Sequence, residues 1–411
     1  MGVSSVWSIC RTTPGLARPP SPETTPPVTR TVLFLPSWWP SPEAPVAGCF
    51  IRHQALALRR ECEVAVVVPD VPGSLRAALA RIGRNGATVA NDEGLRVCRE
   101  RGAVPALRSP GRHFDLWLGL ARRGIRRLLA AGVRPWVLHA HVVLPAGWAA
   151  VRLGRELGLR VVLSEYTGPF AAHLASAAGR DRVRETLTHA TCILSLSPDL
   201  TRQMQAVDPA LAPRLVGTLV RTGYFVPASG GGVRNASGFF SLGALTPGKG
   251  FAVLVEAARQ LRARSVPEFQ IEIGGAGPER ASLERLASDL GVAGCVRFLG
   301  PLSDAEVRAR MQSCAAFVSP SLGETFGLVN AEALACGTPV IATRCGGPEF
   351  VVPPGGGELV EPGDPTALAD ALERRLRGDP PFDPAAARES IVARFGPEAF
   401  VRRLVEAYAA S

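Results

Sequence analysis

The sequence predicts an α/β protein built as two doubly wound domains that face each other across a cleft. Three observations carry this. Short β-branched runs alternate with longer amphipathic stretches along most of the chain, the pattern of parallel strands covered by helices on both faces. That rhythm breaks once, at the aperiodic, small-residue-rich "VRTGYFVPASGGGVRNASG", Val220 to Gly238, and then restarts. Finally, 411 residues suit two or three domains of roughly 100–200 residues each.

Residues 1–29 are rich in Pro, Thr and Ser and lack the apolar stretch of a signal peptide, so they read as disordered. Patterned sequence begins at "TVLFLP", which leaves a natural start near Val28 open. The first domain, 30–225, runs from the strand "TVLFLP" through the helix "GCFIRHQALALRRE" to the strand "EVAVVVP". Next come "WVLHAH", the helix "PAGWAAVRLGRELG", the strand "RVVLSE", a helix around "HLASAAGRDRVRETLTHA" and the strand "CILSLS". After a linker at 226–236, the second domain, 237–385, alternates again, from "FFSLGAL" and "GFAVLVEAARQLRAR" to "GELVEP" and "DPTALADALERRLRG". Two last helices, within 386–411, follow a completed second domain and are expected to pack back on either half, the first domain among the options.

Composition removes several function classes. No run of about 18 uncharged apolar residues appears, which argues against a membrane span. The nine cysteines are scattered without a C-x-x-C pair, and neither H-x-x-x-H nor D-x-D spacing occurs. A reducing cytoplasm is expected, with no metal and no cofactor. The net charge of +10 comes from arginines dispersed along amphipathic helices, and aromatics are few. Nucleic-acid grooves combine a basic stripe with stacking aromatics, so no nucleic acid is expected. "RRGIRR" leaves peripheral contact with an anionic membrane open.

One residue stands out. Lys249, in "SLGALTPGKGF", is the only lysine in the chain. High-G+C codon bias explains arginine elsewhere; a surviving lysine between two glycines marks a site that a planar guanidinium does not fit. Lysine offers a compact charge with three rotatable donors, suited to a phosphate oxygen at a narrow helix N-terminus. In "SPSLGETFGLVNAEALACGTPVIAT", a strand ends at Pro320, a loop carries Glu324, and a helix is expected from Phe326 or Gly327. The unpartnered amides of its first turn favour an anion, and Gly327 permits close approach. Glu332 follows eight positions after Glu324. At about 1.5 Å per residue the carboxylates are up to ~12 Å apart, too far for a glycosidase pair at roughly 5–9.5 Å. They suit two ends of one extended ligand with a diphosphate between them.

"GALTPGKGFAVLVEA", "IGGAGPE", "VRFLGPLSDAEV", "FVSPSLGETFGLVNAEALACGTPVIAT" and "GGGELVEPGDPTALADAL" together resemble the family 4 glycosyltransferases of the GT-B fold. "SWWPSPEAPVAGCFIRHQALAL", "LHAHVVLPAGWAA" and "SEYTGPF" extend the resemblance, which spans nearly all of Thr31 to Ser411. It implies two Rossmann-like domains and a retaining, metal-independent transfer of a sugar from a nucleotide diphosphate sugar. UDP-sugars are favoured as donors and GDP-sugars come next. The acceptor is a glycan, a lipid-linked glycan or a secondary metabolite. Carried over, Glu324 faces the donor sugar and Lys249 the diphosphate. Backbone at Phe326, Gly327 and Leu328 holds sugar hydroxyls and diphosphate, and Glu332 accepts from the ribose. Backbone from Arg297 to Leu299 meets the base, and Gly48 approaches from the opposite domain.

The chain departs from the family pattern twice. Ala244 replaces the usual arginine before the lysine, with Arg52 or Arg344 as candidate substitutes. Tyr166 stands where many members carry a histidine, which turns attention to Glu165 and His141 on the acceptor side. His139 and His141 alternate along one strand and so share a face. Trp38 and Trp39 either stack on an acceptor or cap the core. A non-catalytic nucleotide-sugar binder or partner subunit, and an epimerase of the same fold, are the alternative readings.

Overall fold

A computed structural model describes residues 30–42, 44–72, 86–102, 110–229 and 235–410. The Pro/Thr-rich segment 1–29 and part of the linker at 226–236 lie outside these residues. Fourteen strands are described: β1 (Thr31–Pro36), β2 (Glu63–Asp70), β3 (Gly86–Asp92), β4 (Leu95–Arg101), β5 (Pro135–His141), β6 (Arg160–Ser164), β7 (Cys192–Ser195), β8 (Arg214–Leu215), β9 (Asn235–Leu242), β10 (Gln270–Gly274), β11 (Val296–Gly300), β12 (Cys314–Ser319), β13 (Val340–Thr343) and β14 (Gly357–Val360). The helices between them are α1 (Cys49–Leu58), α2 (Pro110–Ala130), α3 (Trp148–Leu157), α4 (Ala177–His189), α5 (Pro198–Gln205), α6 (Phe251–Arg262), α7 (Arg280–Asp289), α8 (Asp304–Ser313), α9 (Leu328–Ala335), α10 (Pro348–Val351), α11 (Pro365–Leu376), α12 (Pro384–Phe395) and α13 (Pro397–Ala410).

The strands form two sheets. The first runs β3-β4-β2-β1-β5-β6-β7-β8, and the second β11-β10-β9-β12-β13-β14. Their ladders are parallel except for β3 against β4. All six residues of β1 and of β12 are buried, as expected of central strands covered on both faces. The β3–β4 hairpin is absent from the expected elements; its β3 is largely exposed, so no buried face imposes a clear alternation.

In each sheet the strand order reverses at one point, and ligands of open α/β sheets bind outside the strand ends there. In the first sheet the reversal lies between β1 and β5, and in the second between β9 and β12. Gly48 follows β1 and His141 ends β5; Lys249 follows β9 and Glu324 follows β12. Local capping sets the helices that flank these points. Ser303 and Glu306 form a capping box at α8, and Asp364 caps α11 with Pro365 at its first position.

The last two helices divide between the two halves. Ile391 and Phe395 of α12 join the core that includes Phe326 and Leu334. Phe400, Leu404 and Tyr408 of α13 pack with Val32, Phe34 and Ile51 under the first sheet. The Tyr408 hydroxyl lies 2.7 Å from His139 Nδ1. Arg388 of α12 donates to the carbonyls of Phe225 at 2.8 Å and Thr222 at 2.9 Å, so the segment between the sheets is clamped to this C-terminal pair.

Two substitutions test this clamp. Leu404→Ala should cost about 2–5 kcal/mol of stability, and Tyr408→Phe about 1–3 kcal/mol by orphaning His139 Nδ1. Denaturant unfolding followed by far-UV circular dichroism measures both.

Candidate active site

Lys249 and Glu324 meet between the ends of β9 and β12: Lys249 Nζ lies 2.5 Å from Glu324 Oε2. Their loops are packed tightly together. A Cβ on Gly250, which has φ +66°, would sit 1.9 Å from the Pro320 carbonyl oxygen, and Leu322 N donates to Gly248 O at 2.9 Å. Glycine at 250 is therefore required by both its backbone angle and its neighbour. Lys249 ends a short 3-10 turn, Pro247–Lys249, and α6 starts two residues later. The side chain thus stands at the helix entrance and turns to Glu324.

The helix after Glu324 begins later than expected. Phe326 and Gly327 precede it, Gly327 is left-handed at φ +83°, and α9 starts at Leu328. Glu324 is held outside the helix by an isolated bridge to Gly346, with Gly347 N donating to Glu324 O at 2.7 Å. A helical ruler consequently does not measure the distance between Glu324 and Glu332. The Phe326 side chain is buried and stacks edge-on against Phe395 at 5.0 Å, so only its backbone is available to a ligand. Lys249 and Glu324 form the shared wall of two cavities, of about 630 Å³ and about 260 Å³. The smaller is flanked by Ala244, Ser321, Leu328 and Val329 at the entrance of α9. The larger runs between the domains, with Tyr166, Asp199 and Gln203 facing Thr246, Lys249 and Glu324.

Glu332 lies deeper, 8% exposed. Burial pushes its carboxyl up to about 8; the Arg221 guanidinium, 4.0 Å away, pulls it down, and Asp304 raises it. Leu299 is half-buried on β11, where its backbone borders the second sheet's edge. Gly48 caps α1 at φ +68°, and a Cβ there would fall 2.3 Å from the Trp38 carbonyl oxygen.

Several sequence-based assignments change. Glu165 is fully buried. Its Oε2 accepts from Val143 N at 2.6 Å, and its Oε1 from Tyr166 N at 2.9 Å and Thr167 N at 2.6 Å. A carboxylate committed to three amides shapes its loop and does not face an acceptor. His139 is bound on both ring nitrogens, by Tyr408 and by Ser164 Oγ at 2.9 Å, and burial lowers it to about 3. His141 shares its face, with ring centroids 4.1 Å apart. It is fully buried, lies 3.1 Å from the Tyr166 hydroxyl through Nδ1, and is held well below the usual imidazole range by burial and then by His139. The Tyr166 hydroxyl donates to Gln54 Oε1 at 2.9 Å and burial raises it above its ordinary value, so it is turned into the first domain. What Tyr166 presents to the cleft is its carbonyl, which accepts from Thr325 Oγ1 at 3.1 Å.

Trp39 is buried in the first sheet's core, while Trp38 is 41% exposed; the pair splits between capping and surface. Neither candidate substitute for the missing arginine lines either cavity. Arg52 pairs with Asp92 at 2.6 Å and Glu93 at 2.9 Å on the β3–β4 turn, and Arg344 is half-exposed, 3.7 Å from Glu361. Thr325, Asp199, Gln203 and Arg221 were not legible as site residues. The "SPDL" helix start directly after strand "CILSLS" was the one available signal, since it puts Asp199 at a strand's carboxyl end.

The model described as Glycosyltransferase Family 4 matches residues 48–214, and that described as Glycosyl transferases group 1 matches residues 235–389. The chain belongs to the family 4 glycosyltransferases and has the GT-B fold. It is similar to the D-inositol 3-phosphate glycosyltransferase of Corynebacterium jeikeium, 40% identical over 32% of this chain and 33% of that protein. It is also similar to the GDP-mannose-dependent alpha-(1-6)-phosphatidylinositol monomannoside mannosyltransferase of Mycolicibacterium smegmatis, 32% identical over 55% of this chain and 54% of that protein. The matched stretches thus span about a third to about half of these relatives. Among solved structures, sucrose-phosphate synthase from Thermosynechococcus elongatus superposes with a TM-score of 0.72 at 24% identity, covering 93% of this chain and all (100%) of that one. Anabaena HepE in complex with UDP does so with a TM-score of 0.70 at 16% identity, with the same coverage of 93% and 100%. Among the described residues no helix is long and apolar enough to cross a membrane.

The raised Glu332 carboxyl gives a pH prediction. Between its ordinary value near 4.5 and about 8, the folded protein keeps a proton that the unfolded chain has lost, so this group lowers stability as pH rises through that window. Glu332→Gln should therefore melt above wild type at pH 8, with the gap closing toward pH 5. Thermal melts of the ligand-free proteins at several pH values check this.

Proposed function

We propose that the protein is a retaining, metal-independent hexosyltransferase. It moves a sugar from a nucleotide diphosphate sugar to a hydroxyl of a glycan, a lipid-linked glycan or a secondary metabolite. The observation that carries this reading is the Lys249–Glu324 pair, which walls both cavities at the strand reversal of the second sheet. In this reading the pyrophosphate takes the Lys249 ammonium and the free amides entering α9, which stabilise charge on the leaving nucleoside diphosphate without a cation. Glu324 then turns its carboxylate to the donor sugar's hydroxyls. Glu332 accepts from the ribose, and the backbone near Leu299 meets the base.

The acceptor hydroxyl approaches from the first domain, between Tyr166, Asp199 and Gln203. Buried His141 and Glu165 support that wall through Tyr166 and Thr167 and take no part in proton transfer. Attack comes on the same face from which the nucleoside diphosphate departs. UDP is favoured as the leaving nucleotide because structures of the same fold, Anabaena HepE and S. aureus TarM, are UDP complexes; GDP follows, since one curated relative is named for GDP-mannose. A role at the cytoplasmic face of a membrane, in polysaccharide or glycolipid assembly, suits such donors.

Thermal-shift and calorimetric screening against nucleoside diphosphates and their sugars, followed by product analysis, tests the reading; no binding to any of them would sink it. Lys249→Arg should fold normally yet lose about tenfold or more in kcat, because a planar fork cannot replace a compact ammonium beside Glu324. Full activity in that variant would remove the assigned role of the lysine.

A further inference from the structure

The segment leaving the first sheet places Arg221 between two acids. Its Nη1 lies 2.7 Å from Asp304 Oδ2, and its Nη2 stands 4.0 Å from Glu332 Oε1. The guanidinium carbon sits 4.9 Å from the ring centroid of Tyr224 and 5.1 Å from that of Phe225. The sharing is unequal. Asp304, whose side chain is 60% exposed, holds the short bond, whereas Glu332, whose side chain is 10% exposed, stands a step farther off. From the facing domain, α1 brings Cys49 and His53 to the same group. Burial raises the Cys49 thiol, and burial followed by Arg221 lowers His53, so both are neutral near pH 7. Arg221 is thus the cation that acts on Glu332 among the charged groups facing it.

We propose that Arg221 is the positioning residue for Glu332, orienting this buried carboxyl toward the nucleotide's ribose and favouring its charged form, while Asp304 sets how much of the guanidinium Glu332 receives. The inference rests on the reading of Glu332 as the ribose acceptor. An ionised carboxylate offers only acceptors to ribose hydroxyls, whereas a protonated one spends an oxygen on its own proton. Burial favours the protonated form and a nearby guanidinium favours the charged one. Packing against the rings of Tyr224 and Phe225 restricts the guanidinium, so its direction is preset before a nucleotide arrives. Neither Arg221 nor Asp304 need touch the donor for this to operate.

The test is calorimetric titration of UDP and GDP from pH 6 to 9 into the intact protein and four variants. In wild type, affinity should rise with pH as Glu332 ionises. Arg221→Gln should move the midpoint of that rise upward by about one pH unit or more, since it removes an opposite charge within ~4–6 Å. Arg221→Lys should restore part of the shift. Asp304→Asn, on an exposed residue that spares the fold, should move the midpoint downward. Glu332→Gln should bind more weakly with no such rise. Opposite shifts from Arg221 and Asp304 support the proposal, because general destabilisation cannot produce them. Unchanged midpoints in Arg221→Gln and Asp304→Asn, with nucleotide still bound, overturn it while leaving the glycosyltransferase reading intact. A protein that binds neither nucleotide at any pH removes the ribose reading of Glu332, and this inference falls with it.

Discussion

The ion pair between Lys249 and Glu324 is the contact on which the site depends, and it exists because two strands distant in sequence are neighbours in space. β9 and β12 lie side by side at the point where the second sheet reverses direction, so the loops leaving them converge. Gly250 packed beneath Pro320 brings the backbones closer than any side chain would allow. The pair is half-buried, and neither charge is left bare in the ligand-free protein. In the proposed function, an arriving pyrophosphate shares the ammonium, which has three donors, while the released carboxylate finds sugar hydroxyls in place of its cation. The charges are thus arranged before binding, at little cost in reorganisation.

The first domain and the C-terminal helices brace that site. Phe395 of α12 lies against Phe326, and a Cβ on Gly217 would strike the same Phe395 ring at 2.8 Å. The loop carrying Glu324 is therefore wedged between elements from both halves. Thr325 bonds the Tyr166 carbonyl, and the buried Glu165 and His141 stiffen the loop that carries it. Residues that look like chemistry in the sequence serve here as mounts. Burial holds both in place: Glu165 is bound to three amides, and His141 to the Tyr166 hydroxyl through Nδ1.

Glu332 shows the opposite balance. Its carboxyl is retained at a depth where ionisation is disfavoured, and its cation is shared with a solvent-exposed acid. A stability optimum would replace it with a neutral group. A buried carboxyl kept beside a partly committed arginine is consistent with the proposed ribose-binding role.

The amino-acid sequence alone determined the strand–helix alternation, the two domains, the lone lysine and the E-x7-E segment, because periodicity, glycine placement and residue type are local properties. The start of α9 lies one or two residues beyond where the sequence puts it, because a left-handed glycine cap and a helical glycine read alike. Only the tertiary structure decided which titratable groups reach the cleft. Glu165, His139, His141 and Trp39 carry the right chemistry, yet burial turns them inward; Arg52 is claimed by the unforeseen β3–β4 turn. Arg221 and Asp304, 83 residues apart, come together only through the crossing between the sheets. Electrostatics and burial depend on such distant neighbours, so no window of sequence reveals them.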